Sequence, residues 1–128
     1  MALPAAVALT IAYLDTLHTI PVVSKVPNPR PAALIQVRRV GGTGLQPVRD
    51  NPRLDIFSWS ATSAEAETLG GTVRAQMFAL ARTTLLGGIQ CYRVEEALFR
   101  QLDDDETGTY RTWGTYALTL RADDVLPA

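Results

Sequence analysis

Residues 54–86, LDIFSWSATSAEAETLGGTVRAQMFALARTTLL, constrain the fold more than any other stretch. The first six read as a buried strand, and the rest as one long amphipathic helix. Thr62 stands at the junction with Glu65 three residues on, the spacing of a capping box. Ala66, Leu69, Val73, Met77 and Leu80 recur at intervals of three and four, which puts them on one face. Leu86 is followed by Gly87 and Gly88, a left-handed C-cap by residue type. A strand feeding a helix of about 20 residues, about 30 Å long, is a natural spine for a small α+β domain.

The rest of the chain fills in around that spine. Leu3, Val7, Ile11, Leu14 and His18 follow helical spacing, so a first helix is expected from Pro4 to Leu17. Val22, Val23 and Val26 suggest a short strand. PNPRP at 27–31 cannot donate ladder hydrogen bonds and reads as a stiff connection. Ala33 to Val40 alternates, with Ile35 and Val37 inward and Gln36 and Arg38 outward. GGTG at 41–44 and the residues to Pro52 read as a loop or hairpin connection. In the strand that enters the long helix, Ile56 falls on one face and Phe57 and Trp59 on the other. Apolar residues on both faces require two covers. The helices supply one, and a neighbouring subunit is a candidate for the other.

After Gly88, IQCYRV begins a strand that Ala97 to Leu102 continues. DDDETG at 103–108 has nothing to pack and must be a solvated turn. Trp113 to Arg121 alternates, with Tyr116, Leu118 and Leu120 to one side and Thr115, Thr119 and Arg121 to the other. Asp123 to Ala128 reads as a loose tail. The expected fold is α+β, a single small domain over residues 1–128. Its mixed or antiparallel sheet has four to five strands packed by two main helices. The order is helix, three strands, helix, two strands.

Charge and composition narrow the function. The net charge is −1, whereas a dedicated nucleic-acid binder is clearly basic. Residues 1–64 carry +3 and residues 65–128 carry −4, a polarity that subunits joined head to tail could use. With one cysteine, Cys91, no intrachain disulfide can form, and with one histidine, His18, a multi-Cys/His zinc site within the chain is excluded. The apolar run Ala2–Tyr13 lacks a basic flank and is too short to span a bilayer. A cytosolic product without a targeting signal is expected, with no membrane partner.

No catalytic pattern stands out. GGTG lacks the lysine and spacing of a phosphate loop, and turn chemistry explains it. His18 reads as a helix-end histidine favoured by the helix dipole, and Cys91 as a small buried hydrophobe. The run Asp103, Asp104, Asp105, Glu106 lacks the alternating ligands of a calcium loop. Arg30, Arg38 and Arg39, without interleaved aromatics, read as ordinary surface. Gly70 and Gly71 cost about 1 kcal/mol each inside a helix, so they mark a kink or a close approach.

Several phrases carry a resemblance: AYLDTL (12–17), PVVSKVPNPRP (21–31), IQVRRVGG (35–42), RLDIFSWSATSAEAETLGGTVRAQM (53–77) and YRTWGTYALTLRA (110–122). Together with the order of elements, they make the chain similar over nearly its whole length to the tail terminator (tail completion) proteins of long-tailed bacteriophages, especially phages of actinobacteria. It departs from them at Gly70-Gly71, where such helices more often carry Leu-Ala, and at DDDETG, which is more acidic than the usual Asp-Pro turn. The resemblance implies structural work in the virion and no enzyme activity or cofactor. Such subunits form a hexameric ring at the head-proximal end of the tail. The ring caps the tube, stops its polymerisation and joins it to the neck. The implied partners are further copies of the chain, the major tail tube protein and a head-closure or neck connector protein. Genomic DNA passes through the lumen without specific binding. The candidate contact residues are Arg30, Arg38, Arg39, Phe57, Trp59, Asp103, Asp104, Asp105, Glu106, Arg111 and Trp113. The competing expectations are another neck protein such as a head-closure factor, and a small ferredoxin-like ligand-binding domain or enzyme.

Overall fold

The computed structural model describes residues 5–45, 49–81, 83–84 and 88–121. Two helices lie on one face of a five-stranded mixed sheet. The elements run α1 (Ala6–Asp15), β1 (Val22–Val23), β2 (Leu34–Leu45), β3 (Arg49–Ser60), α2 (Ser63–Ala79), β4 (Cys91–Asp104) and β5 (Thr109–Arg121). The sheet order is β1-β2-β3-β5-β4; β1 pairs parallel to β2 and all other pairs are antiparallel. The single α+β domain and its element order are as the sequence indicated.

The core lies between the helices and one sheet face. Ile35, Val37, Leu54, Ile56, Tyr116, Leu118 and Leu120 come from the strands, and Val73, Met77 and Leu80 from the long helix and its end. The alternation read in β2 and β5 holds. Two helix faces shift, however. In α1 the buried positions are Ala6, Thr10 and Leu14, with Val7 and Ile11 only partly covered. In α2 they are Ala66, Gly70, Val73 and Met77, and Leu69 is partly buried at the margin. The reason is Gly70. A Cβ built there would lie 2.7 Å from the Cβ of Thr112 on β5, so only glycine lets the helix come this close to the sheet. Gly71 points into open space.

Thr62 is the N-cap, its hydroxyl accepting from the Glu65 amide at 3.2 Å. Glu65 does not complete the reciprocal bond; its carboxylate accepts from Ser60 Oγ at 3.1 Å. The helix ends at Ala79, earlier than the expected Leu86. Past that end, the Thr83 amide and hydroxyl both donate to the Leu80 carbonyl, and Thr84 bridges to Gln90, which turns the chain into β4. Gly88 does have positive φ, at 81°, but in that return rather than at a helix cap. Leu86 and Gly87 lie outside the described residues, as do Pro4 and Asp123–Ala128.

GGTG is a second departure. β2 runs through Gly41–Leu45 and pairs with Arg49–Arg53, so the supposed loop is mostly hairpin, and only 46–48 lie outside the described residues. A bulge between Arg39 and Gly41 leaves Val40 out of register. Gly42, at φ 106°, lies where a Cβ would strike the Asn51 carbonyl oxygen. The glycines permit a bulged, tightly paired strand. The β1 strand is limited to Val22–Val23; Val26 falls outside it.

The two glycines of α2 give a paired test. Gly70→Ala is expected to destabilise the fold by about 1–3 kcal/mol through overpacking against Thr112. Gly71→Ala is expected to stabilise it by up to about 1 kcal/mol through helix propensity. Denaturant melts of the two variants check this, and effects of the same sign would contradict the described contact.

Candidate interaction surface

The helix-free face of the sheet is where the sequence's candidate residues converge. Strand register builds two rows across it. Leu34, Trp59, Arg111 and Leu102 lie side by side on β2, β3, β5 and β4, and Gln36, Phe57, Trp113 and Arg100 form the next row. Phe57 and Trp113 stack with ring centroids 6.0 Å apart and planes 16° apart. The Arg111 guanidinium sits 5.0 Å from the Phe57 centroid and 4.6 Å from that of Trp59. Arg30, from the proline-rich connection between β1 and β2, adds a second guanidinium 4.7 Å from the Trp59 centroid. Each such stack contributes about 0.5–1 kcal/mol at an exposed site.

The second cover therefore begins within the chain. Phe57 is only 7% exposed and Leu34 is fully buried, while Trp59 and Trp113 remain partly open. Arg30 does have an aromatic partner, contrary to the plain-surface expectation. The pairing joins residues 29 positions apart, so no local pattern announces it. Period-two spacing did mark Phe57 with Trp59, whereas Arg111 and Trp113 were named without a shared face. Only the register shows that the two pairs are neighbours.

The electrostatics of the cluster are one-sided. Burial first, and then the positive charge of Arg30, hold the Arg111 guanidinium below its ordinary pKa. Among the described residues, Trp59 Nε1, Trp113 Nε1 and one terminal nitrogen of Arg30 are buried without an acceptor. Arg38, Arg53 and Arg100 stand exposed on the same face. Described carboxylates on this face are engaged: Asp55 accepts from Thr115 Oγ1 at 2.6 Å, Glu95 pairs with Arg93, and Asp104 closes the hairpin turn. Arg39 differs from the other arginines. It faces the helix side and grips fully buried Asp50 through two bonds of 3.0 Å, so its charge is already used inside the subunit.

The acidic hairpin tip lies next to this cluster. Asp103 to Gly108 are exposed. Asp103 accepts from Ser63 Oγ, and Asp104 Oδ1 accepts from the amides of Glu106 and Thr107, closing the turn. The charge of Asp105, more than burial, pushes the Tyr110 hydroxyl pKa up.

Elsewhere the chemistry is sparse. A groove of about 540 Å³ beside α2 is lined by His18, Ile20, Ala33, Ser60, Ala64, Glu65, Thr68, Leu69 and Thr72. His18 Nε2 lies 2.6 Å from Gln76 Oε1, and Ser60 bonds directly to Glu65, so the histidine is not coupled to that hydroxyl as a base. No group of three His, Cys, Asp or Glu that could hold a metal ion occurs among the described residues. Among them, too, no helix is long and apolar enough to cross a membrane. Cys91 is fully buried, and burial pushes its thiol up to about 11.

Two expectations follow. Changing Asp103, Asp104 and Asp105 to Asn and Glu106 to Gln should leave the fold intact, with a stability change within about 1 kcal/mol, because exposed charges contribute little; a variant that fails to fold would make the tip structural. Cys91 should resist a thiol reagent at pH 8 until the protein is unfolded. Its raised pKa favours the folded state below the unfolded value of about 8.5. That contribution is lost as pH rises toward 11, so unfolding midpoints should fall across that window in the wild type and fall less in Cys91→Ala.

No protein-family model matches the chain, and no curated protein sequence matches it either.

Proposed function

We propose that the chain is a structural subunit of the phage tail terminator type. Six copies form a ring that caps the tail tube, halts its growth and offers a docking surface to the neck. The observation that carries this reading is the division of the sheet. One face is sealed by two helices, and the other is a field of arginines and half-open aromatics bordered by an acidic hairpin. Such a face suits contact with protein better than turnover of a substrate. Arginine, tryptophan and tyrosine are the residue types enriched where binding energy concentrates.

The polarity of the surface supports a head-to-tail arrangement. The cationic face and the acidic tip are different parts of one chain, so one copy can offer its tip while accepting another. Exposed ion pairs contribute about 0–1 kcal/mol each. A stable ring contact buries about 1,200–2,000 Å² in total, so apolar surface must supply most of the affinity. Phe78, exposed at 44%, offers apolar surface for such burial. On this reading the subunit's partners are its own copies, the tail tube protein and the neck protein, and DNA passes through without a specific site.

The groove beside α2 favours a second reading, a small-ligand-binding domain, because it is mainly apolar with a few polar groups at its rim. One experiment separates the two. In lysates of a phage lacking this protein, electron microscopy should show overlong, unterminated tails. Normal tails with unjoined heads would assign it to head closure instead. Normal virions would favour the ligand-binding reading.

A further inference from the structure

We infer that the arginine–tryptophan face receives the acidic hairpin tip, Asp103 to Glu106, of a second copy of the same chain. The inference rests on the ring reading above and names the contact that joins one subunit to the next.

The face lacks what the tip carries. Arg30 and Arg111 share one tryptophan ring, and the charge of Arg30 lowers the pKa of Arg111. Two cations held this close repel each other unless an anion lies between them. Around them, the indole N–H groups of Trp59 and Trp113 and one Arg30 nitrogen are buried without an acceptor. A buried donor without a partner is destabilising, and a docked carboxylate offsets this where the side chains shift to let it reach the donor. Carboxylates also meet guanidinium donors in the bidentate geometry that favours arginine.

The tip supplies those acceptors. Four consecutive acids are exposed there, with no basic residue among them. The acids do not serve their own cluster: Asp103 accepts from Ser63, Asp104 closes its own turn, and Asp105 acts on Tyr110. Among the described residues, no ion pair joins the tip to Arg30 or Arg111. Glu106 and the outward oxygens of its neighbours remain in water. The β4–β5 hairpin is braced by pairing from Cys91–Leu120 to Asp104–Thr109, so its tip is presented already ordered. That lowers the entropy lost on docking.

A nucleobase is a poorer occupant. Two guanidiniums already stack on Trp59, and Phe57 is 7% exposed and stacked on Trp113, which leaves little bare ring for a base.

Both tryptophans of the chain lie in the proposed contact, so intrinsic fluorescence reports it directly. The full chain is concentrated stepwise while tryptophan emission and sedimentation are followed. Self-association should shift the emission. It should weaken at least about tenfold in Asp105→Lys/Glu106→Lys and in Arg111→Glu. Mixing the two reversed variants should restore association, because one supplies an intact face and the other an intact tip. The tip variant carries the test if Arg111→Glu fails to fold by circular dichroism. A mixture of Glu106→Cys and Arg100→Cys copies should form an intermolecular disulfide on mild oxidation.

Self-association unchanged in the tip variant would overturn the inference and leave the ring reading standing. Absence of association up to on the order of 1 mM would also overturn it, with virion microscopy still able to judge the ring. A closed dimer that grows no further would support the contact and count against the ring. Tryptophan quenching by a single-stranded oligonucleotide, unaffected by the tip substitutions, would assign the face to nucleic acid and overturn the inference.

Discussion

β3 has to be covered twice, and the rest of the molecule follows from how that is done. Leu54 and Ile56 point to one side, and Phe57 and Trp59 to the other. The first side is closed in the ordinary way. α2 lies on β3 and β5 with Val73, Met77 and Leu80 against the sheet, and glycine at position 70 lets it settle onto Thr112. Among the described residues, the second side receives no helix. It is roofed by two guanidiniums, one from β5 and one from the connection that precedes β2. Apolar stems and flat charged heads shield aromatic rings without making the surface apolar.

The two covers differ in what they contribute. Burying a large aliphatic side chain in the core stabilises by about 1.5–3 kcal/mol, whereas a cation over a ring contributes less than half of that. The helix side therefore carries the stability of the fold. The arginine side keeps a sheet face from being a broad greasy patch, which would invite indiscriminate association. Edge strands are guarded in a related way. β4 is interrupted by bulges between Cys91 and Arg93 and between Glu96 and Leu98, and it carries charges along its length. Glu96 is fixed by Arg74 of α2 through bonds of 2.7 and 2.9 Å, which ties that edge to the helix layer.

Much of this was legible in the sequence because it depends on short periods. Alternation in 33–40 and 113–121, the Thr62 cap and the order of elements all reflect neighbours within a turn or a pleat. Where the reading failed, a distant partner decided the matter. Gly41 and Gly42 have turn composition, yet pairing with Arg53 and Pro52 makes them strand. The long helix was expected to reach Leu86 but ends at Ala79, where Thr83 takes the Leu80 carbonyl and Gln90 pairs with Thr84. Gly70 announced a close approach without naming Thr112. The candidate contact residues divide: Phe57, Trp59, Arg111 and Trp113 occupy one cluster with Arg30, while Arg39 belongs to Asp50. A charged side chain carries no local mark of its partner, because an ion pair needs only proximity, which the fold supplies from any distance along the chain.

That distinction bears on how a small subunit could assemble on cue. A face roofed by arginine over tryptophan shows less bare ring than an unroofed one, and among the described residues some of its donors have no acceptor. Attraction for an acidic partner would, on the proposed reading, fall with salt over a Debye length of about 8 Å, so charge would select and orient the partner rather than hold it. On the proposed reading, copies would be held apart by weak pairwise affinity and brought together where a tube end presents several at once. Linking many weak contacts on one template raises the effective concentration of each. The division of labour in the sheet, with the aliphatic core on one side and cations over aromatic rings on the other, is compatible with such conditional assembly.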